Sequence, residues 1–102
     1  MTNYSVTFFA LYMIYKHLQE ILGSERVFQN KNISPYITLR TQTVAEFYFE
    51  ARTREDLVNA ISAAQKLNIP LFILGGGSNI AVLQERIKGL VLRNQYHHMA
   101  IV

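Results

Sequence analysis

Apolar positions change their period along the chain, and each change predicts an element. Residues 1–15, MTNYSVTFFALYMIY, carry no charged side chain. Ile14, Leu18, Ile21 and Leu22 continue at helical spacing to Gly23, a natural stop, so an N-terminal helix docked on the rest of the chain is expected. Lys16 and His17 cut the apolar run short of the roughly 20 residues that a membrane span needs, so membrane attachment is not expected. No basic start or small-residue cleavage site marks a secretory signal, and Met13 offers an alternative natural start. Residues 24–34 read as a polar connector and residues 35–40 as extended backbone.

Alternation follows. Phe47, Phe49 and Ala51 would share one face and Glu46, Tyr48 and Glu50 a polar outer one, which predicts a half-buried strand. Thr53 and Asp56 form a capping box, with Glu55 in the same first turn. Leu57, Ala60, Ile61, Ala64 and Leu67 then make one helical stripe. Lys66 suits the last turn, and Pro70 forces Ile69 out of the helix. Residues 71–74 are apolar on both faces, as expected of a central parallel strand. Residues 46–74 therefore predict a β-α-β unit with parallel strands and a right-handed crossover, an α/β (α+β) arrangement. Residues 80–83 fit either a strand or a helical turn, Gly89 reads as a break, and residues 90–92 read as a further strand. The apolar run 99–102 lacks a turn or cap, the pattern expected of an incomplete domain.

The most distinctive chemistry lies after residue 74. Gly75, Gly76 and Gly77 permit positive φ and present no Cβ, so their amides can close around an anion. Ser78 adds a hydroxyl and Asn79 an amide, either of which can cap the turn or bond a phosphate oxygen. Open α/β sheets place nucleotides at such strand-to-turn junctions, so the stretch reads as a cradle for a cofactor diphosphate. A plain glycine turn between two strands is the alternative. The dinucleotide fingerprint fails at Ile80, and no Gly-Lys-Ser/Thr follows to make a phosphate loop.

Composition narrows the class. The chain has 102 residues, 50% of them hydrophobic and 17% charged, as expected of one globular domain or part of one. With no cysteine there is no disulfide framework, thiolate metal site or cysteine nucleophile, and a cytoplasmic setting is compatible. The ten Lys and Arg residues are scattered, which points away from nucleic acid, and the net charge of +3 gives a mild attraction for anions. His97 and His98 would face opposite sides of a strand and lack further ligands at suitable spacing, so no metal site is expected.

Three motifs in order carry a resemblance: residues 33–40, ISPYITLR; Glu55-Asp56-Leu57 at the helix start; and Ile69-Pro70 through residues 74–79, LGGGSN, with Gly89-Leu90-Val91 beyond. Over about residues 16–94 the chain resembles the N-terminal FAD-binding region of the UDP-N-acetylenolpyruvoylglucosamine reductase family, also called MurB or UDP-N-acetylmuramate dehydrogenase. The resemblance implies part of a PCMH-type FAD-binding domain, the vanillyl-alcohol-oxidase fold, over residues 24–102, after an N-terminal segment 1–23. It implies FAD as cofactor, NADPH as hydride donor and an enolpyruvyl UDP-sugar as substrate in peptidoglycan precursor synthesis. Gly75, Gly76, Gly77, Ser78 and Asn79 would hold the FAD diphosphate, and Tyr36 and Thr38 would match the segment beside the flavin.

The chain departs from the family where Ile37 replaces a threonine, where Gln42-Thr43 replaces Gly-Gly, and where Leu83-Gln84-Glu85-Arg86 follows residue 82. The family's Ser, Glu and Arg of catalysis lie in later segments, so no residue here takes a catalytic role. A non-catalytic α/β interaction module using the apolar N-terminus, or the FAD-binding part of another FAD-linked oxidase, are the alternatives. Oligomeric state is not legible.

Overall fold

The computed structural model describes residues 4–36, 43–75 and 86–96, with side chains described from residue 9 onward. Within them lie helix α1 (Tyr4–Leu22), strand β1 (Val27–Asn32), a 3₁₀ turn (Ser34–Tyr36), strand β2 (Val44–Ala51), helix α2 (Arg54–Leu67), strand β3 (Leu71–Leu74) and strand β4 (Arg86–Asn94). The four strands form one mixed sheet in the order β1-β2-β4-β3. β1 runs antiparallel to β2, whereas β2 and β3 both run parallel to β4. The fold is mixed α/β, compatible with α+β.

The expected β-α-β unit is present, but its two strands are not neighbours. β4 comes last in the chain and inserts between them. The expectation of a central strand at 71–74 is therefore corrected: β4 occupies the interior of the described sheet and β3 its edge, where Ile73 is 48% exposed. Residues 86–94 fill the interior position because Leu90, Val91 and Leu92 are buried on both sides of a nine-residue strand.

Gly89 does not break this strand. It lies within β4 at φ +95°, where the register with β2 shifts between Ala45 and Phe47. A Cβ at Gly89 would come within 2.4 Å of the Pro70 carbonyl oxygen, which accepts a hydrogen bond from the Leu90 N–H at 2.9 Å. Glycine is needed there for both its dihedral and its lack of side chain. Glu46 fills the same irregularity: its carboxylate accepts from the Gly89 N–H at 2.9 Å. That bond explains why Glu46 is buried, where an outward polar position was expected.

Two further expectations are corrected. The polar connector at 24–34 contains β1, whose register pairs Phe28 with Tyr48. Residues 35 and 36 belong to a 3₁₀ turn instead of extended backbone; the remainder of 35–40 lies outside the described residues, as do 80–83 and 97–102. The turn is held because the Tyr36 N–H donates to the Ile33 carbonyl and the Thr43 N–H to the Ser34 hydroxyl.

One sheet face is covered by helices. Leu18 and Leu22 of α1 and Leu57, Ala60, Ala63 and Ala64 of α2 pack with Phe47, Phe49, Leu90 and Leu92. α1 takes in the apolar N-terminal run as well as the 14–22 stripe and ends where expected, at Gly23, whose N–H donates to the Gln19 carbonyl at φ +109°. The capping box forms as read. The Asp56 N–H donates to the Thr53 hydroxyl at 3.0 Å, and the Thr53 N–H to the Asp56 carboxylate at 3.3 Å. No described helix is long and apolar enough to cross a membrane.

Candidate functional site

The parallel strands β2, β4 and β3 end on the same side of the sheet, and their register fixes which residues meet there. Arg93 pairs with Glu50 across β2 and with Leu74 across β3. Glu50, Arg93 and Leu74 thus form a row at the carboxyl ends of the strands, and Gly75 continues directly from Leu74. Carboxyl ends of parallel strands are where open α/β sheets bind ligands.

The row lies on the sheet face opposite the helices. There Tyr48, Val91 and Leu74 pack with Ile33, Ala45 and Ile87, and Tyr36 rests against them. The Tyr36 ring stacks on Tyr48 with centroids 5.6 Å apart and planes 9° from parallel. The Arg93 guanidinium carbon lies 4.2 Å from the Tyr36 ring centroid. One carboxylate joins these parts: Glu50 Oε2 accepts from the Tyr48 hydroxyl at 2.8 Å and from Arg93 at 3.2 Å. Burial opposes ionisation of Glu50, but the Tyr48 hydrogen bond and the Arg93 charge outweigh it and hold the carboxyl below the ordinary glutamate range. Burial, reinforced by the same Glu50 contact, pushes the Tyr48 phenol upward, so it stays a donor at neutral pH.

Of the residues predicted to hold a cofactor, Tyr36 and Gly75 fall among those described, and both meet this row: Tyr36 through Arg93 and Tyr48, Gly75 through its neighbour Leu74. Thr38, Gly76, Gly77, Ser78 and Asn79 lie outside the described residues. Thr43 is buried, and its carbonyl accepts from the Ile33 N–H at 2.9 Å. Sequence reasoning passed over Arg93, Glu50 and Tyr48 as site residues. Arg93 was one scattered cation among ten. Only the strand order, with β4 between β2 and β3, puts it beside Gly75.

A concavity of about 270 Å³ lies nearby and is lined by Glu25, Arg26, Phe28, Lys31, Glu50 and Arg52. Its arginines are partly committed. Arg26 makes two bonds to the Asp56 carboxylate, at 2.9 and 3.0 Å, and one to the Glu50 carbonyl. This pairing draws the Asp56 carboxyl down to about 2. Among the described residues no group of three His, Cys, Asp or Glu side chains is placed to hold a metal ion.

No protein-family model matches the chain. It is, however, 34% identical over 77 residues to the UDP-N-acetylenolpyruvoylglucosamine reductase of Moorella thermoacetica, covering 76% of this chain and 26% of that protein. The reductase of the same name from Clostridium perfringens is 33% identical over 79 residues, again 26% of its length. That of Staphylococcus aureus is 29% identical over the same length. The chain spans about a quarter of the length of the curated relatives it matches. Over some three quarters of its own length, the chain is a segment homologous to the UDP-N-acetylenolpyruvoylglucosamine reductase (MurB) family.

Proposed function

We propose that the chain is the FAD-binding part of a UDP-N-acetylenolpyruvoylglucosamine reductase, built on a PCMH-type half-domain. The observation that carries this reading is the delivery of Gly75 to the carboxyl end of β3, one residue beyond the pairing of Leu74 with Arg93. Two parts of the donor set suit a diphosphate. A glycine-rich stretch can offer main-chain amides, and Arg93 on the neighbouring strand carries positive charge. Gly75, Gly76, Gly77, Ser78 and Asn79 would hold the diphosphate, with Tyr36 and Thr38 beside the flavin.

In the full-length family the bound flavin supplies hydride chemistry, taking reducing equivalents from NADPH and passing them to the enolpyruvyl group of a UDP-sugar. The residues of this chain bind and orient. Tyr36 and Tyr48 set an aromatic wall, and Glu50 fixes the guanidinium against it. No residue of this chain takes a catalytic role in this reading, and a cytoplasmic location fits the substrate class. Purification tests the reading. Absorbance in the flavin bands, or saturable quenching of added FAD fluorescence, is expected, together with no NADPH oxidation on adding the UDP-sugar. A colourless protein that ignores FAD would overturn it.

A second reading, an interaction module without catalysis, is favoured by α1. Its outer face exposes Phe9 (66%), Tyr12 (54%) and Ile21 (39%). It requires indifference to FAD, so the same titration separates the two.

A further inference from the structure

Strand β1 carries a lysine to a place that simple alternation would not. Phe28 and Lys31 are three positions apart, so in a regular strand they face opposite sides of the sheet. The Lys31 ammonium nevertheless lies 5.0 Å from the Phe28 ring centroid and 5.8 Å from that of Tyr48. Asn30 is the reason. Its φ of 57° is left-handed, and the pairing with β2 passes around it from Gln29–Phe47 to Lys31–Ala45. β4 holds this conformation, because Arg86 donates to the Asn30 side-chain oxygen at 2.7 Å. Residues other than glycine keep such dihedrals only where their surroundings impose them, and they cluster at ligand sites.

Lys31 borders the concavity of about 270 Å³ beside β1, and the charges around that space do not cancel. Arg26 is bidentate on Asp56, and Glu50 is taken up by Tyr48 and Arg93. Two cations, Lys31 and Arg52, then face one exposed anion, Glu25. No carboxylate pairs with Lys31 among the described residues. Arg52 is 68% exposed and reaches Glu50 only at 3.5 Å. Phe28, 44% exposed, adds an open ring to the wall.

We infer that this concavity binds a small aromatic phosphate, with the ring against Phe28 and the phosphate between Lys31 and Arg52. An ammonium and a guanidinium supply independent donors to a doubly charged group, and an exposed ring supplies a surface for stacking. The volume falls just under the roughly 300 Å³ at which pockets for drug-sized ligands begin, which suits a single ring with its anion. The site stands apart from the glycine stretch and does not rest on the FAD reading.

Calorimetric titrations of wild type, Lys31→Ala and Arg52→Ala with phenyl phosphate, inorganic phosphate and phenol test it. Saturable one-to-one binding of phenyl phosphate is expected, tighter than that of either half of the molecule. Each variant should weaken phenyl phosphate about tenfold, the effect of one charge-assisted contact, and leave phenol unchanged. Should Lys31→Ala not fold, Arg52→Ala decides alone, since its side chain is exposed. A wild type that does not saturate, or variants that bind phenyl phosphate as tightly as wild type, overturn the inference. Equal affinity for phenol removes the phosphate contact and equal affinity for inorganic phosphate removes the ring, and either result overturns it. The titration should be unchanged in excess FAD; competition would move the ligand elsewhere and overturn the site, whatever the fate of the FAD reading.

Discussion

The two faces of the sheet are built from different physics. On the helix-covered face, Phe47, Phe49, Leu90 and Leu92 meet Leu18, Leu57 and three alanines, and the cohesion is non-directional apolar burial. On the opposite face the partners are specific: Tyr36 on Tyr48, Tyr48 on Glu50, Glu50 on Arg93. The same strands supply both. The first face stabilises the fold, whereas the second spends buried polar groups on holding a cation at the strand ends. Such groups contribute little net stability when satisfied, and their removal costs mainly through the partner left behind.

The sharpest way to break the comparison is at neighbouring residues of β2. Phe47→Ala empties the helix-covered core of a fully buried ring and should cost about 4 kcal/mol, a large share of the stability of a domain this size. Denaturant melts would show it, and a loss under about 2 kcal/mol would mean that α1 and α2 collapse onto the void. Gly89→Ala tests the joint between the faces. At φ +95°, with a Cβ 2.4 Å from the Pro70 carbonyl, it should cost about 3 kcal/mol. A near-wild-type melt would show that β3 can slide away from β4.

These positions also show what was legible. The capping box, the α2 stripe and the stop at Gly23 are signals within a few residues of one another, and each formed as read. Local pattern also found β2 and the core of β4. It failed where distant residues decide. β1, VFQNKN, has a largely exposed, polar edge sequence and is a strand because β2 pairs with it. Gly89 looked like a break because the space it vacates belongs to Pro70, nineteen positions earlier. Glu46 alternates outward in sequence, but a main-chain N–H of β4 draws its carboxylate into the interior. Arg93 did not stand out either, since sequence order puts β3 beside β2 and only the fold inserts β4.

Charge at the α2 start gives an intermediate effect with a defined pH window. Arg26, assisted by the Arg52 and Thr53 amides, lowers the Asp56 carboxyl from 3.8 to about 2. A lowered carboxyl stabilises fully above its unfolded value, and the contribution is lost as pH falls through the folded one. Asp56→Asn should therefore cost about 2 kcal/mol at neutral pH, and the gap to wild type should close between about pH 4 and pH 2. A gap that persists at pH 2 would assign the effect to packing instead of charge.

The smallest expected effect is the most informative about the second face. Tyr48→Phe keeps the ring against Tyr36 and removes the hydroxyl that donates to Glu50. Glu50 still has Arg93 at 3.2 Å and Arg52 at 3.5 Å, so the carboxylate is not orphaned. The loss should be about 1 kcal/mol, roughly a quarter of that for Phe47→Ala one residue away. The Glu50 carboxyl should also rise towards its ordinary value, readable by carbon-detected NMR titration, because one of the hydrogen bonds holding it down is gone. If Tyr48→Phe instead costs as much as Phe47→Ala, the row Glu50–Arg93–Leu74 is part of the folding core, and the division of labour between the faces fails.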